Sequence, residues 1–212
     1  MESRPPLTEA LHRLATITPY FELRHGRAEA TRGRPSALLR TPEVAAERFD
    51  EAAAALGTAE RRVAVSWVFL DWAARLWSVA LGTALLTGRS VALDPERLRF
   101  SRDDGFTVLH MAAPTPGGTP AGEVIDGHLA PLVSAWGHLA APGLLWGNAA
   151  SCLVTAGSLL GDDAEPLVAA ALTDRRLAGA LDARTHRRRS CCLFYRSATG
   201  GYCGDCALTA RD

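Results

Sequence analysis

Apolar positions along the chain recur mostly at helical spacing, with one interruption. Residues 7–24 carry a helical pattern that Pro19 breaks or kinks. A polar stretch bearing Arg and Gly runs on to about Pro35 and reads as a loop. Thr41-Pro42-Glu43 then presents an N-cap with Pro at the first helical position, opening a helix through Leu56. Thr58 is placed to cap the next helix, whose apolar run over 63–86 ends near Gly88. Trp67, Trp72 and Trp77 in that run are spaced by five, so they spread around the helix, as suits one surrounded by protein.

Over 90–111 the pattern changes. SVALD, RLRFS and FTVLHMA are short, alternating and partly β-branched, with turn signals at Asp94-Pro95 and Asp103-Asp104-Gly105. Two or three short antiparallel strands are expected there. PTPGGTPAG, 114–122, reads as a loop. Helical spacing returns at Val124, Leu129, Leu132, Val133, Trp136 and Leu139, with Pro131 a kink or a restart. Further helices are expected at about 144–160 and 166–177. The predicted class is α+β: a predominantly α-helical domain over 1–183 with a small antiparallel β element near 90–111, then a cysteine-rich segment over 184–212.

Composition narrows the functions. Of 212 residues, 48% are hydrophobic and 22% charged, the balance of a soluble chain with a core. Basic and acidic residues cancel at 23 each, so no global field favours nucleic acid, and none is expected as a partner. Every one of those basic residues is Arg, Lys and Gln are absent, and Asn148 is the single Asn. That bias fits a GC-rich genome, and it weakens any reading of Arg-rich stretches alone. The start of the chain lacks the apolar segment of a secretory signal. The 63–86 run is long enough to span a bilayer, but Asp71 and Arg75, one helical turn apart, would be costly there. A buried core helix with an i,i+4 ion pair is the better reading, and no transmembrane segment is expected. The expected location is the cytoplasm, with a peripheral place at the inner face of a membrane left open. Thiols are kept reduced there, which favours metal ligation over disulfides.

The candidate chemistry lies at the end of the chain. Cys191, Cys192, Cys203 and Cys206 form a C-C-x10-C-x2-C pattern, a concentration of thiolates that marks a metal site. A single tetrahedral zinc fits the C-x-x-C half. It fits the adjacent pair poorly, because neighbouring side chains diverge in extended backbone. Two irons relax that demand, since four sulfurs then approach from more directions. The spacing favours iron–sulfur, with a zinc-stapled binding module as the other possibility.

RRSCCLFYRSATGGYCGDCAL, 188–208, resembles the C-terminal signature of the FhuF-type ferric-siderophore reductase family. VALDPERLRF (91–100) and LLWGNAA (144–150) are similar to family segments too, while residues 1–60 add little. The resemblance implies a [2Fe–2S] cluster on Cys191, Cys192, Cys203 and Cys206, and a ferric siderophore as substrate. Such an enzyme adds one electron to chelated Fe(III), and oxygen-donor chelators hold the resulting Fe(II) far more weakly. No nucleotide-binding motif of the usual kinds is present, so electrons are expected from a separate donor such as a ferredoxin or a flavoprotein reductase. A non-enzymatic electron carrier, an iron or redox sensor acting through a partner, and a member recruited to another reduction are the alternatives.

Around the cysteines, Arg184, Arg187, Arg188 and Arg189 read as a basic patch for an acidic donor or an anionic chelate, or else as a solvated linker face. Tyr195 and Arg196, inside the ligand loop, are expected to pack around the metal first and to touch substrate second. Gly200, Gly201 and Gly204 are candidates for bringing backbone N–H groups to sulfur. Cys152, in AASCLVTAG, reads as a small core residue. Asn148 suggests a hydrogen-bonding duty or a helix cap. The six histidines show no metal-ligand spacing.

Overall fold

The long apolar run becomes the axis of the protein. In the computed structural model, which describes residues 4–182 and 184–209, it forms α3, Arg61–Thr87, buried almost throughout from Val63 to Ala84. A helix that is apolar all round has to be wrapped by others. Helices α1 (Leu7–Ala15), α2 (Pro42–Leu56) and α5 (Pro142–Leu160) do so, with α5 making the most extensive contact. Gly88, in the left-handed region at φ 86°, ends α3. Both α3 and α5 are long and apolar enough to cross a membrane, yet 78% of the apolar window of α3 is buried inside the protein. Asp71 and Arg75 pair at 3.3 Å, and Arg75 also donates to the Pro19 carbonyl at 3.1 Å and lies over the Tyr20 ring. The helix therefore meets its own charge internally. Phe49 and Phe69 pack edge-on against Trp136, which closes one side of the core.

The β element is larger than its sequence pattern suggests. Strands β3 (Arg99–Asp103) and β4 (Phe106–Met111) form the expected antiparallel hairpin. The β1 strand (Leu23–His25) adds to β4 in parallel, and β2 (Arg34–Pro35) adds to β3 antiparallel, giving a mixed sheet in the order β1-β4-β3-β2. Two or three residues are too few to show a period-two pattern, so neither flanking strand is legible in advance. SVALD, by contrast, contributes only an isolated bridge between Val91 and Pro116. Its N–H groups are met alternately by the facing loop, at Gly118 O and Thr115 O, and by side chains: Thr83 Oγ1 accepts from Val91 N–H at 2.9 Å and Glu123 Oε2 from Leu93 N–H at 2.8 Å. His110 is held between Glu29 Oε2 at 2.6 Å and Ser101 Oγ at 2.8 Å, which ties the hairpin to the chain before β2.

Helix boundaries follow local chemistry. The first helix stops at Ala15, and Pro19–Phe21 is a separate 3-10 turn on which Thr18 accepts the Tyr20 N–H. The α2 range is as expected, but Thr41 Oγ1 donates to Leu38 O instead of capping. Thr58 accepts from Glu60 N–H, just ahead of the helix. Residues Gly122–Leu129 form a π-helix, after which α4 (Ala130–Trp136) restarts with Pro131 in its first turn. The last helix, α6 (Glu165–Leu172), is shorter than expected: Asp174 takes the Arg176 N–H and pairs with its guanidinium, turning the chain.

Candidate metal centre

The cysteine segment is docked onto the helices by specific contacts. It enters through a bridge between Leu181 and Arg188, with Asp182 accepting the N–H groups of Arg184 and Thr185. Phe194 stacks on Trp67 of α3 at 5.0 Å, Arg196 pairs with Glu60 at 2.8 Å, and Ala198 N–H donates to the Leu56 carbonyl at 2.9 Å. Ser190 rests on α5, where a Cβ on Gly147 would come within 2.1 Å of its Oγ. Within the loop Tyr195 stacks on Tyr202 at 5.7 Å, drawing the two cysteine pairs together. Gly200 is needed there for close approach, since a Cβ would lie 1.8 Å from the Phe194 carbonyl oxygen.

The four thiols come together as two pairs. Cys192 Sγ and Cys203 Sγ are 3.6 Å apart, and Cys191 interacts with Cys206. Each pair takes one sulfur from Cys-Cys and one from C-x-x-C. A tetrahedral metal with metal–sulfur bonds of about 2.3 Å holds its sulfurs about 3.8 Å apart, close to the Cys192–Cys203 spacing. Among the described residues no three Cys, His, Asp or Glu side chains gather at one point. A contact that takes one sulfur from each half of the motif fits a cluster that both halves would hold. Backbone donors already face two of the thiols: Leu193 N–H reaches Cys191 Sγ at 3.3 Å, and Leu208 N–H reaches Cys206 Sγ at 3.4 Å. Leu193 adopts the left-handed region at φ 67° to do this, a conformation costing about 1–2 kcal/mol outside Gly.

Arg188 lies at the centre of this arrangement. It is 4% exposed. Its guanidinium donates to Cys203 Sγ, to Asp205 Oδ1 at 2.8 Å and to Asn148 Oδ1 at 2.9 Å. Asn148 in turn donates to Ser66 O and Oγ, and Ser66 Oγ donates to the Cys192 carbonyl at 2.6 Å. Ser151 holds the other Asp205 oxygen. Burial opposes the Arg188 charge, but Cys192, Asp205 and Cys203 outweigh it and raise its pKa. Burial pushes the Cys203 thiol up, against the pull of Arg188, and burial likewise raises Cys191. A bound metal reverses that tendency, because coordination deprotonates thiols. The Arg188 Nε–H is buried without a partner among the described residues, a spare donor beside the sulfurs. Paired thiols, inward N–H groups and an orphaned cation donor together fit an anionic all-cysteinyl cluster.

The other expected residues fall in distinct places. Arg188 was expected on the surface as a substrate or donor contact, and the structure corrects this: it is buried because its charge is used within the site. Arg187 donates to Cys206 O at 2.7 Å and to Thr209, bracing the turn after the last cysteine. Arg189 and Arg184 are exposed, and with Arg187 they line a groove of about 720 Å³. Tyr195 and Arg196 are exposed, one in the aromatic stack and the other in the ion pair with Glu60. Cys152 is a core residue whose Sγ donates to Leu70 O at 3.4 Å and whose pKa burial pushes up to about 12. Asn148 is mid-helix, not a cap. Ser66, Ser151 and Asp205 carry no sequence signal of their own. Asn148, the single Asn, bonds Ser66 directly and reaches Asp205 through Arg188.

Residues 188–208 match the family model of the FhuF 2Fe-2S C-terminal domain. The end of this mostly helical chain is thus similar to the FhuF-type C-terminal domain, and the match spans all four clustered cysteines and Arg188. No curated protein matches the chain significantly.

Proposed function

We propose that the chain is a ferric-siderophore reductase, working in the cytoplasm or against the inner face of the membrane. The observation that carries this reading is the FhuF-type match over a segment whose four thiols stand as two pairs. Cys191, Cys192, Cys203 and Cys206 would hold the [2Fe–2S] cluster, which supplies one-electron chemistry between an external donor and chelated Fe(III). Arg188 holds positive charge and a hydrogen bond against Cys203, favouring the more negative, reduced state of the site. The helices fix Arg188 through Asn148 and fix the Cys192 carbonyl through Ser66, so the sulfurs keep their places as charge changes. The exposed guanidiniums of Arg184 and Arg189 offer an acidic donor protein an electrostatic landing face.

The test is spectroscopic, then kinetic. Anaerobically purified protein should contain two irons and two sulfides per chain, by the stoichiometry of the cluster. Dithionite reduction should give an S = 1/2 EPR signal, and stopped-flow mixing with ferric chelates should restore the oxidised spectrum. One zinc and no colour would remove both cofactor and function. A cluster that no ferric chelate reoxidises would leave an electron carrier or sensor.

A further inference from the structure

A cleft of about 260 Å³ opens between α2, α3, the β3–β4 turn and the cysteine segment. It shares no residue with the basic groove. Stacked Trp67 and Phe194 form an aromatic wall, and the charged side chains lining it are Arg48, Arg102 and Asp71. Phe194 follows Leu193, whose N–H bonds Cys191 Sγ, so one wall of the cleft belongs to the ligand loop itself.

The charges around the cleft do not balance. Arg48 and Arg102 share Thr107 Oγ1, at 3.3 and 3.4 Å, and both pair with Glu51. Asp71 is engaged by Arg75. Three guanidiniums against two carboxylates leave one positive charge in excess. Burial, and then the charge of Arg102, hold Arg48 below the ordinary guanidinium range, a state that an added anion relieves. Trp72, 2% exposed and with an indole N–H that has no partner among the described residues, lines a small continuation of the cleft with Arg48 and Asp71. Pockets for whole drug-sized ligands begin near about 300 Å³. This one suits one arm of a chelate.

Building on the reductase reading, we infer that the cleft seats one flat, anionic aryl oxygen-donor arm of a ferric chelate, of the catecholate kind. Arg102 and Arg48 meet its charge, and Trp67 and Phe194 meet its ring. The site therefore selects anionic chelates over neutral or cationic hydroxamate complexes.

Redox-inert gallium(III) complexes test this on the cluster-loaded protein by titration calorimetry. The tricatecholate complex should bind more tightly than a trihydroxamate complex, and its affinity should fall with added salt. Arg102→Gln, at a partly exposed position, should weaken tricatecholate binding about tenfold, the loss of one charge-assisted contact, and leave trihydroxamate binding unchanged. Phe194→Leu should weaken the same complex while keeping its salt dependence. Arg189→Gln, in the basic groove, should leave the tricatecholate affinity within about twofold, well under one such contact. Equal affinity in wild type and Arg102→Gln, loss only in Arg189→Gln, or no binding to wild type overturns the assignment. Stopped-flow reoxidation by the ferric counterparts reports separately. If it fails while Arg102-dependent gallium binding holds, the reductase reading falls and the cleft stands. If it succeeds without that binding, the reverse holds.

Discussion

Two buried arginines show how differently the helical core and the cysteine segment are held. Arg75 is 2% exposed, and its partners are near α3 or upon it: Asp71 one turn away, the Pro19 carbonyl and the Tyr20 ring. It neutralises a charge inside a structure already secured by apolar area. Arg188 is as buried, but its partners come from α5 and from the C-x-x-C turn, the Cys203 sulfur included. Few apolar side chains of the segment are buried, Cys192 and Cys206 among them. The core would survive loss of its buried ion pair far better than the segment would survive loss of its own. The segment depends on polar contacts.

The sharpest way to break this contrast is to cut one region at a time. Cys192→Ser should abolish iron binding and visible absorbance while leaving far-UV circular dichroism close to wild type. Phe69→Ala, in the core at 0% exposure, should instead cost about 3–5 kcal/mol of global stability by denaturant titration. Global unfolding of Cys192→Ser would show that the segment is part of the core.

A second prediction separates the regions by pH. His128 is buried in the core, where its Nε2–H donates to Leu93 O at 2.6 Å, and burial lowers its pKa to about 4. The unfolded chain takes up this proton near pH 6.5 and the folded one near 4. Stability is therefore complete above pH 6.5 and is lost as pH falls towards 4, by up to about 3 kcal/mol. His128→Gln should flatten the denaturation midpoint over that window, and an unchanged slope would count against this origin.

Arg188 sharpens the contrast from the other side. Replacing it with Met removes a charged hydrogen bond worth about 1.5–3 kcal/mol. The potential should fall by the part of that energy that differs between the two redox states, at most about 60–130 mV for a one-electron couple. Arg188→Lys should recover part of the shift by keeping the charge. Equal potentials in all three proteins, by EPR-monitored titration, would confine Arg188 to a structural role.

The same contrast explains what was legible in the sequence. Apolar runs announce helices, so α2, α3 and α5 are readable nearly to the residue. The clustering of the cysteines is readable because thiols are rare in the chain and four of the five fall within 191–206. The network binding the two regions is not, because Ser66, Ser151 and Asp205 are ordinary residues whose partners lie 126, 54 and 17 positions away in the chain. Arg188 was misplaced for the same reason. In a run of three arginines, composition cannot say which one turns inward; the Asn148 and Asp205 partners decide it.

The smallest effect lies at the joint. A Cβ on Gly147 would meet Ser190 Oγ at 2.1 Å, and that hydroxyl now donates to the Gly143 carbonyl at 3.0 Å. Ala at 147 should displace the hydroxyl and forfeit its bond, at about 1 kcal/mol. It should also favour α5 itself, where Ala exceeds Gly by up to about 1 kcal/mol. The two terms act on different regions, so global stability should stay nearly unchanged while the segment loosens. Amide exchange should then rise about fivefold around residues 190–192 and not within α5, since 1 kcal/mol of local opening corresponds to that factor. Ser190→Ala should loosen the segment equally without touching the helix. If both variants instead speed exchange throughout α5, the segment and the core open as one unit, and the division drawn from the two arginines is wrong.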